Sequence, residues 1–390
     1  MKTYDAIVIG AGSVGLPLSW NLAARGLKVA VIDQEASWGR GQNRAAIGGI
    51  RATHSDPAKI RIGLESIRIF STMKERHGLD LEWRRGGYLY VAYDEGTRLS
   101  LSSLIKAQKE AGLDIDWIGP DMILGLAPGI KAEGLLGGTY SPGDGFASPL
   151  RAATAFHRLG MEAGVEFFFG LRVEGFSVKG RRIGSLEAGG ETWSAGLYVN
   201  AAGAEASDLA SLAGIEAAVF PDCHEAGVTE PVERFMEPMV VDIRSEAESG
   251  NYYFYQAETG QVVFCITPRP QIWGRDKDST SSFLPLSLKR ILELYPRLRN
   301  LRVRRTWRGM YPMTPDGLPI LGYPAGAENL LLAVGMCGQG FMLGPGLGEI
   351  LAQTIVSGGC ASRPEGSTGY GSIFRDLAWN RAFEHGEFLK

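Results

Sequence analysis

The first 33 residues predict an α/β fold, and three observations carry that prediction. An apolar, β-branched run, "YDAIVIG", stops at Gly10; a helical stretch runs from Ser13 to Arg25 and stops at Gly26; a second apolar run, "KVAVID", ends on Asp33. Both apolar runs read as short strands buried on two faces, as in a parallel sheet. Gly26 stands where a helix terminus favours glycine. Strand, helix and strand in this order make a βαβ unit.

The turn inside that unit reads G-x-G-x-x-G, with Gly10, Gly12 and Gly15 around Ser13 and Val14. One glycine permits a sharp turn, one lets a pyrophosphate approach the backbone, and one lets helix and strand pack closely. The helix N-terminus offers free N–H groups and a partial positive charge to the phosphates. Asp33, followed by Gln34, lies where an acid accepts hydrogen bonds from ribose hydroxyls. The unit is thus a Rossmann-like dinucleotide site. An acid at Asp33 disfavours a 2′-phosphate, but leaves FAD and NAD both open.

Two further glycine-rich places extend this reading. In "LYVNAAGAEASDLASLAG" (Leu197 to Gly214) an apolar strand enters Ala201, Ala202 and Gly203 before another helix. On the residues alone this is either a ligand turn or simply the next βα connection. In the stretch Thr314 to Gly359, "NLLLAVGM" reads as a strand, Gly335, Gly338 and Gly340 as a turn, and Gly344 to Ile355 as a helix. A second helix N-terminus in a nucleotide-binding fold suits a ligand that becomes anionic. The reduced isoalloxazine ring does so and nicotinamide does not, which favours FAD.

Composition excludes several classes. At 390 residues the chain is too long for one small core. A net charge of −3 supplies no field for gathering phosphates, so nucleic acid is not the expected partner. The basic run Arg297 to Arg308 is expected to be a solvated strand face. Cys223, Cys265, Cys337 and Cys360 are scattered without a C-x-x-C pair, which argues against disulfides and thiolate-bound metal. No metal site is expected. The apolar N-terminus carries Asp5 and strand–turn–helix punctuation rather than a signal peptide's cleavage site. No run of about 20 apolar residues suggests a membrane span. The expected location is cytoplasmic.

Five blocks together carry a resemblance to a known family: the N-terminal fingerprint, "GRGQNRAAIGGIRA" (Gly39 to Ala52), "VNAAGAEASDL", "CHEAGVTEP" (Cys223 to Pro231) and "TPDGLPILG…GMCGQGFMLGPGLGE". The chain resembles the D-amino-acid oxidase/glycine oxidase superfamily of FAD-dependent amine oxidoreductases. Within it, the sarcosine oxidase β-subunit and dye-linked proline dehydrogenase branch is most similar. The resemblance implies a discontinuous FAD domain (1–80, 141–215 and 301–390) and a substrate domain (81–140 and 216–300) built on a large mixed sheet, α+β in character. "GGYLYVAY", "PMVVDIRS" and "NYYFYQAETGQVVFCIT" read as strands of that sheet, the last with a turn near Thr259 and Gly260.

The same resemblance implies that FAD is held by Gly10, Gly12, Ser13, Val14, Gly15, Asp33, Gln34, Gln42, Asn43, Arg44, Ala45, Ile47, Gly48, Val173, Ala201, Ala202, Gly203, Gly338, Gln339, Gly340, Phe341 and Met342. Arg44 would either neutralise the reduced ring or clamp FAD phosphate. Arg51 matches the arginine that holds a substrate carboxylate, a task suited to a guanidinium fork; the alternative is a surface arginine at a strand start. His224 is a pocket candidate or a hydrogen-bonded structural histidine. Tyr253 is a further catalytic candidate, read as facing opposite to Tyr252 and Tyr255. Trp307 covers the flavin or fills core.

Two departures refine the expectation. Covalent relatives have a cysteine before "T-P-D" where this chain has Gly309, and no histidine stands at the N-terminal attachment position, so FAD is expected to be non-covalent. Met342 replaces a carboxylate-binding lysine, and the "VVFCIT" strand lacks an oxygen-activating lysine, which favours a dehydrogenase over an oxidase. The implied reaction is oxidation of an amino acid's C–N bond, of a proline-, sarcosine- or glycine-like substrate, by hydride transfer to flavin N5, giving an imine that hydrolyses. The catalytic set is then Arg51, His224, Tyr253 and Met342. A 2-hydroxy acid dehydrogenase, or an FAD-binding subunit active only with a partner subunit, are the alternatives. The electron acceptor is left open.

Overall fold

In a computed structural model, residues 1–358, 371–384 and 386–389 are described; Cys360 lies outside them. Two eight-stranded sheets organise the chain. In the first, Lys2–Ile9 lies between Glu191–Asn200 on one side and Val29–Asp33 on the other, parallel to both. Leu330–Val334 extends the sheet beyond Glu191–Asn200, and Glu166–Phe169 extends it beyond Val29–Asp33. The chain therefore leaves the central strand toward opposite edges. In such sheets a ligand crevice opens at the carboxyl ends of the strands. Ile9, Asp33, Asn200 and Val334 are those ends.

One face of this sheet is covered by the helices Gly15–Ala23, Pro57–His77, Pro149–Glu162 and Gly340–Val356. The last is apolar nearly all round, as a helix buried on every side must be. Its "GPGLG" stripe explains how it fits. A Cβ on Gly344 would lie 2.0 Å from the Ser13 carbonyl oxygen, one on Gly346 2.3 Å from the Ile62 oxygen, and one on Gly348 2.7 Å from the Leu18 nitrogen. Backbone meets backbone there. The helix begins at Gly340, four residues before the expected Gly344, because Gly340–Leu343 wind regularly ahead of the glycine–proline pair.

The second sheet runs Val303–Met313, Phe220–Pro231, Gln261–Pro268, Ser249–Gln256, Met239–Asp242, Tyr88–Ala92, Gly137–Ser141 and Asp116–Ile118. All neighbours are antiparallel except Met239–Asp242 with Tyr88–Ala92. Residues 301–313, grouped from the sequence with the nucleotide-binding segments, thus hydrogen-bond in the other sheet. Alternation sorts its faces. Leu89, Val240, Tyr252, Phe254 and Phe264 pack with the helix Phe283–Leu294 on one side. Tyr88, Tyr90, Val241, Tyr253, Tyr255 and Val263 fill the other. Tyr253 therefore shares its face with Tyr255, and the expectation that it opposes Tyr255 fails: residues two apart on a strand point the same way.

The basic run is only partly a solvated face. It opens as a 3-10 turn, Pro296–Asn300, before the strand. Arg299, Arg302, Arg304 and Arg305 are exposed, whereas Arg308 is buried and donates to Asp276 Oδ2 at 2.9 Å.

Candidate active site

Between the two sheets lies a cavity of about 520 Å³ whose wall collects residues from both. At one end, Gly10 turns with φ +112, where a Cβ would strike the Ala201 carbonyl. A Cβ on Gly15 would lie 1.8 Å from the Gly10 oxygen, so the helix sits directly on the turn. Gly12 differs: nothing lies within 4 Å of the position its Cβ would take. The backbone there is open to the cavity, as the cradle of a phosphate must be.

Asp33 braces this turn. Its Oδ2 accepts from Ala11 N at 2.6 Å and its Oδ1 from Glu35 N at 2.7 Å. Burial raises its pKa against those two bonds. Gln34, Val173, Ala201, Ala202 and Gly203 line the same end, with Ser13 and Val14 beside Gly12. Ser13 Oγ donates to Asn43 Oδ1 at 2.8 Å, and Asn43 Nδ2 donates to the Pro149 carbonyl at 2.9 Å. Asn43 thereby links the glycine turn to the next segment of wall.

That segment, residues 41–49, is fastened from the second sheet. Gln42 Oε1 accepts from Met310 N at 2.7 Å, and the Ala45 carbonyl accepts from Trp307 Nε1 at 2.9 Å. The Ile47 carbonyl accepts from the Tyr255 hydroxyl. Trp307 is half-buried and serves both as wall and as this tie. Gly309 lies against Ala45, whose Cβ would be 2.6 Å from a Cβ at 309. Gly48 also lines the cavity.

Two residues named from the sequence are not on the wall. Gly15 packs behind the turn. Arg44 is exposed, since Gln42–Ala45 forms a 3-10 turn in which successive side chains point about 120° apart. Asn43 faces inward and Arg44 outward. Arg44 therefore does not line the cavity.

Gly338, Gln339, Gly340, Phe341 and Met342 also line the wall as the helix Gly340–Val356 begins, presenting its free N–H groups there. Gln339 is buried, and its side-chain oxygen has no partner among the described residues. A backbone cradle that no side chain crowds, a ribose-type acid, a helix N-terminus and a buried acceptor without a partner among the described residues together fit a dinucleotide flavin cofactor along the cavity.

The second sheet adds a group of polar side chains to the wall. Tyr253 and Tyr311 share a hydroxyl–hydroxyl hydrogen bond of 2.7 Å. Burial pushes both hydroxyls well above the ordinary phenol range, and the Cys265 thiol beside them to about 11. All three are neutral. His224 stacks on Tyr311 with ring centres 3.8 Å apart, and its Nε2 lies 3.1 Å from Asp222 Oδ2. His224 Nδ1 is buried without a hydrogen-bond partner among the described residues. His224 and Tyr253 thus meet through Tyr311, which the sequence reading passed over within "WRGMYPM".

Arg51 lines the cavity beside Tyr88 and Tyr90. It is buried, not a surface arginine, at 4% exposure. Burial works against its charge, but Tyr90, Tyr88, Glu387 and Asp144 outweigh it and raise its pKa. Among the described lining residues Arg172 and Lys277 are also cationic, and both are exposed. Tyr88, Tyr90, Asn251, Thr267 and Lys277 are cavity residues that sequence reasoning missed; only the alternating tyrosines of "GGYLYVAY" gave a usable signal.

Comparison with known proteins agrees with this cavity. Residues 5–354 match the family described as DAO, FAD dependent oxidoreductase. The chain is 27% identical over 370 residues to the sarcosine oxidase subunit beta of an Arthrobacter species, spanning 91% of this chain and 88% of that one. It is 26% identical to the glycine oxidase of Geobacillus kaustophilus, over 90% of this chain and 93% of the relative. Among solved structures, L-proline dehydrogenase from P. horikoshii superposes with a TM-score of 0.86 at 28% identity, over 92% of this chain and 94% of that one. With a family match running from the first strand into the last long helix, and a wall that fits the flavin dinucleotide, the chain belongs to the DAO family of FAD-dependent oxidoreductases.

Proposed function

We propose that this oxidoreductase acts on the C–N bond of a small amino acid, with a secondary amine such as proline or sarcosine as the favoured substrate. One observation carries the reading: of the cations on the described cavity wall, Arg51 alone is buried. A desolvated guanidinium that cannot lose its proton selects a carboxylate. Bound non-covalently, FAD supplies a two-electron oxidant for the C–H bond beside the amine nitrogen. The chain's own residues align the reactants. Arg51 would take the carboxylate, the neutral Tyr253–Tyr311 pair and His224 would border the substrate, and the backbone N–H groups in the first turn of the helix Gly340–Val356, Met342 included, would favour negative charge on a bound flavin. The names of the similar proteins, for sarcosine, glycine and L-proline, support an amino-acid substrate.

Dehydrogenase is favoured over oxidase because no buried lysine lines the cavity among the described residues. A partner subunit that accepts the electrons is the second reading, supported by the subunit status in the name of the Arthrobacter relative. Among the described residues no helix is long and apolar enough to cross a membrane. The purified FAD-loaded chain, assayed with an artificial dye or with oxygen alone, tests these points. Turnover of L-proline or sarcosine with dye and little with oxygen is expected. Turnover of lactate but of no amino acid would overturn the substrate class, and fast oxygen consumption would overturn the dehydrogenase assignment.

A further inference from the structure

The segment Gly386–Leu389 returns to the back of Arg51. The Leu389 carbonyl accepts from Arg51 Nη2 at 2.6 Å, and the Leu389 side chain is buried among Tyr88, Tyr90, Ala92 and Leu101. Two residues earlier, Glu387 is buried as a charge. Its Oε1 accepts from Ser55 N at 2.9 Å, Ser55 Oγ at 2.6 Å and Leu389 N at 2.9 Å. Its Oε2 lies 3.0 Å from Lys59 Nζ. Neither Glu387, Lys59 nor Leu389 lines the cavity. A buried ion pair is expensive to desolvate and is weak grounds for stability alone, so its presence calls for another role.

The count of Arg51's donors supplies one. Its Nη1 donates to the Thr53 carbonyl and lies 3.0 Å from His54 Nδ1. Burial, then the charges of Arg51 and Lys59, hold His54 well below its ordinary pKa, so the ring is neutral and Nδ1 accepts. One Nη2 proton goes to Leu389. Of the five N–H donors of a guanidinium, the Nε–H and one Nη2–H make no bond within the described protein. Those two donors are what Arg51 has left for a ligand, and a guanidinium donor bonds a carboxylate oxygen strongly because both partners are charged.

We propose that Gly386–Leu389 is a positioning element: pinned by Glu387, it holds the Leu389 carbonyl against Arg51 Nη2, fixing the guanidinium so that its remaining N–H donors are offered to a carboxylate ligand. This rests on the carboxylate role of Arg51 proposed above. The segment touches no substrate; it acts through Arg51.

The test uses the full FAD-loaded chain and two probes, pyrrole-2-carboxylate and pyrrole-2-carboxamide, whose dissociation constants are read from the perturbation of the visible flavin spectrum. Wild-type protein is expected to prefer the carboxylate. Deleting residues 388–390 removes the carbonyl, and Glu387→Gln loosens the pin while keeping the chain length. In each variant carboxylate binding weakens roughly tenfold, the scale of one charge-assisted hydrogen bond, while carboxamide binding moves less than about twofold. Equal weakening of both probes, or of neither, overturns the inference and leaves the segment a structural tie. If the deletion does not fold, Glu387→Gln decides. Arg51→Met separates the two levels. If the carboxylate preference survives that change, the reading of Arg51 itself fails. If Arg51→Met abolishes the preference and the segment variants keep it, only the positioning role falls.

Discussion

Gly12 and Gly15 stand three residues apart in one turn and do different work, which makes them separable. A methyl at Gly15 would sit 1.8 Å from a carbonyl oxygen that cannot retreat without moving the first strand. Gly15→Ala is expected to destabilise the fold by about 2–4 kcal/mol, in the range of overpacked backbone contacts, and to lower the thermal midpoint accordingly. A methyl at Gly12 enters open space. Gly12→Ala is expected to leave the apoprotein's midpoint within about 1 °C but to weaken FAD binding at least tenfold, by fluorescence titration, because a phosphate no longer reaches the backbone. Equal loss of stability in both variants would contradict the division of roles. At Tyr311, removal of one hydroxyl from a neutral pair tests its part in substrate alignment. Tyr311→Phe is expected to raise KM for the amino acid several-fold and to leave FAD content unchanged; an unchanged KM would place the pair outside the substrate's reach.

What reads locally in the sequence is what a local backbone segment decides. The placement of Gly10, Gly12 and Asp33 at the cavity follows from a strand, a turn and a helix adjacent in the chain. Arg44 misleads because only the 3-10 winding of Gln42–Ala45 turns it outward. The Tyr253–Tyr311 bond joins strands 58 residues apart, separated in the sheet by Phe220–Pro231 and Gln261–Pro268, so their meeting depends on register across four strands. The link from Arg51 to Leu389 spans 338 residues and leaves no trace in either local pattern.

The helix Gly340–Val356 couples stability to the site, since its buried length packs the core while its first turn lines the cavity. Gly348→Val would force a branched side chain against the Leu18 backbone, 2.7 Å from the would-be Cβ. The variant is expected to lose about 3 kcal/mol of stability by denaturant titration and to release FAD at lower denaturant than wild type; wild-type-like release would show that the two ends of the helix are independent. The loop carrying Asp144 behaves differently. Burial pushes its carboxyl up to about 6, against bonds from Ala52 N and Thr53 Oγ1 and the charge of Arg51. An unfolded aspartate titrates near 4. Protonated Asp144 therefore favours the fold, and that contribution is lost as pH rises from about 4 through about 6. Relative to Asp144→Asn, the wild-type stability curve is expected to fall by about 2 kcal/mol across that window. Parallel curves would show that Asp144 titrates normally.

Two sheets meet over one cavity, and the segment 41–49 is held by Trp307, Met310 and Tyr255 from the other sheet. The chain thus closes a nucleotide-binding sheet with a tyrosine-rich second sheet, while the buried Arg51 follows the short strand Gly49–Ile50, which pairs with Gly145–Phe146 apart from both. A scaffold of this kind fixes the cofactor class more firmly than the substrate, because the cradle is backbone while the substrate wall is side chains from several strands. The division appears in the relatives too: similar chains bear the names of sarcosine, glycine and L-proline enzymes at 24–28% identity. The measurement that reaches the central claim most directly is an anaerobic titration of the FAD-loaded protein with sarcosine, L-proline, glycine and lactate, following the visible absorbance of the oxidised flavin. Bleaching by a secondary amino acid at stoichiometric concentration, reversed slowly on admitting air, is the predicted result. Bleaching by lactate alone, or by none of the four while an added dye still accepts no electrons, would contradict it.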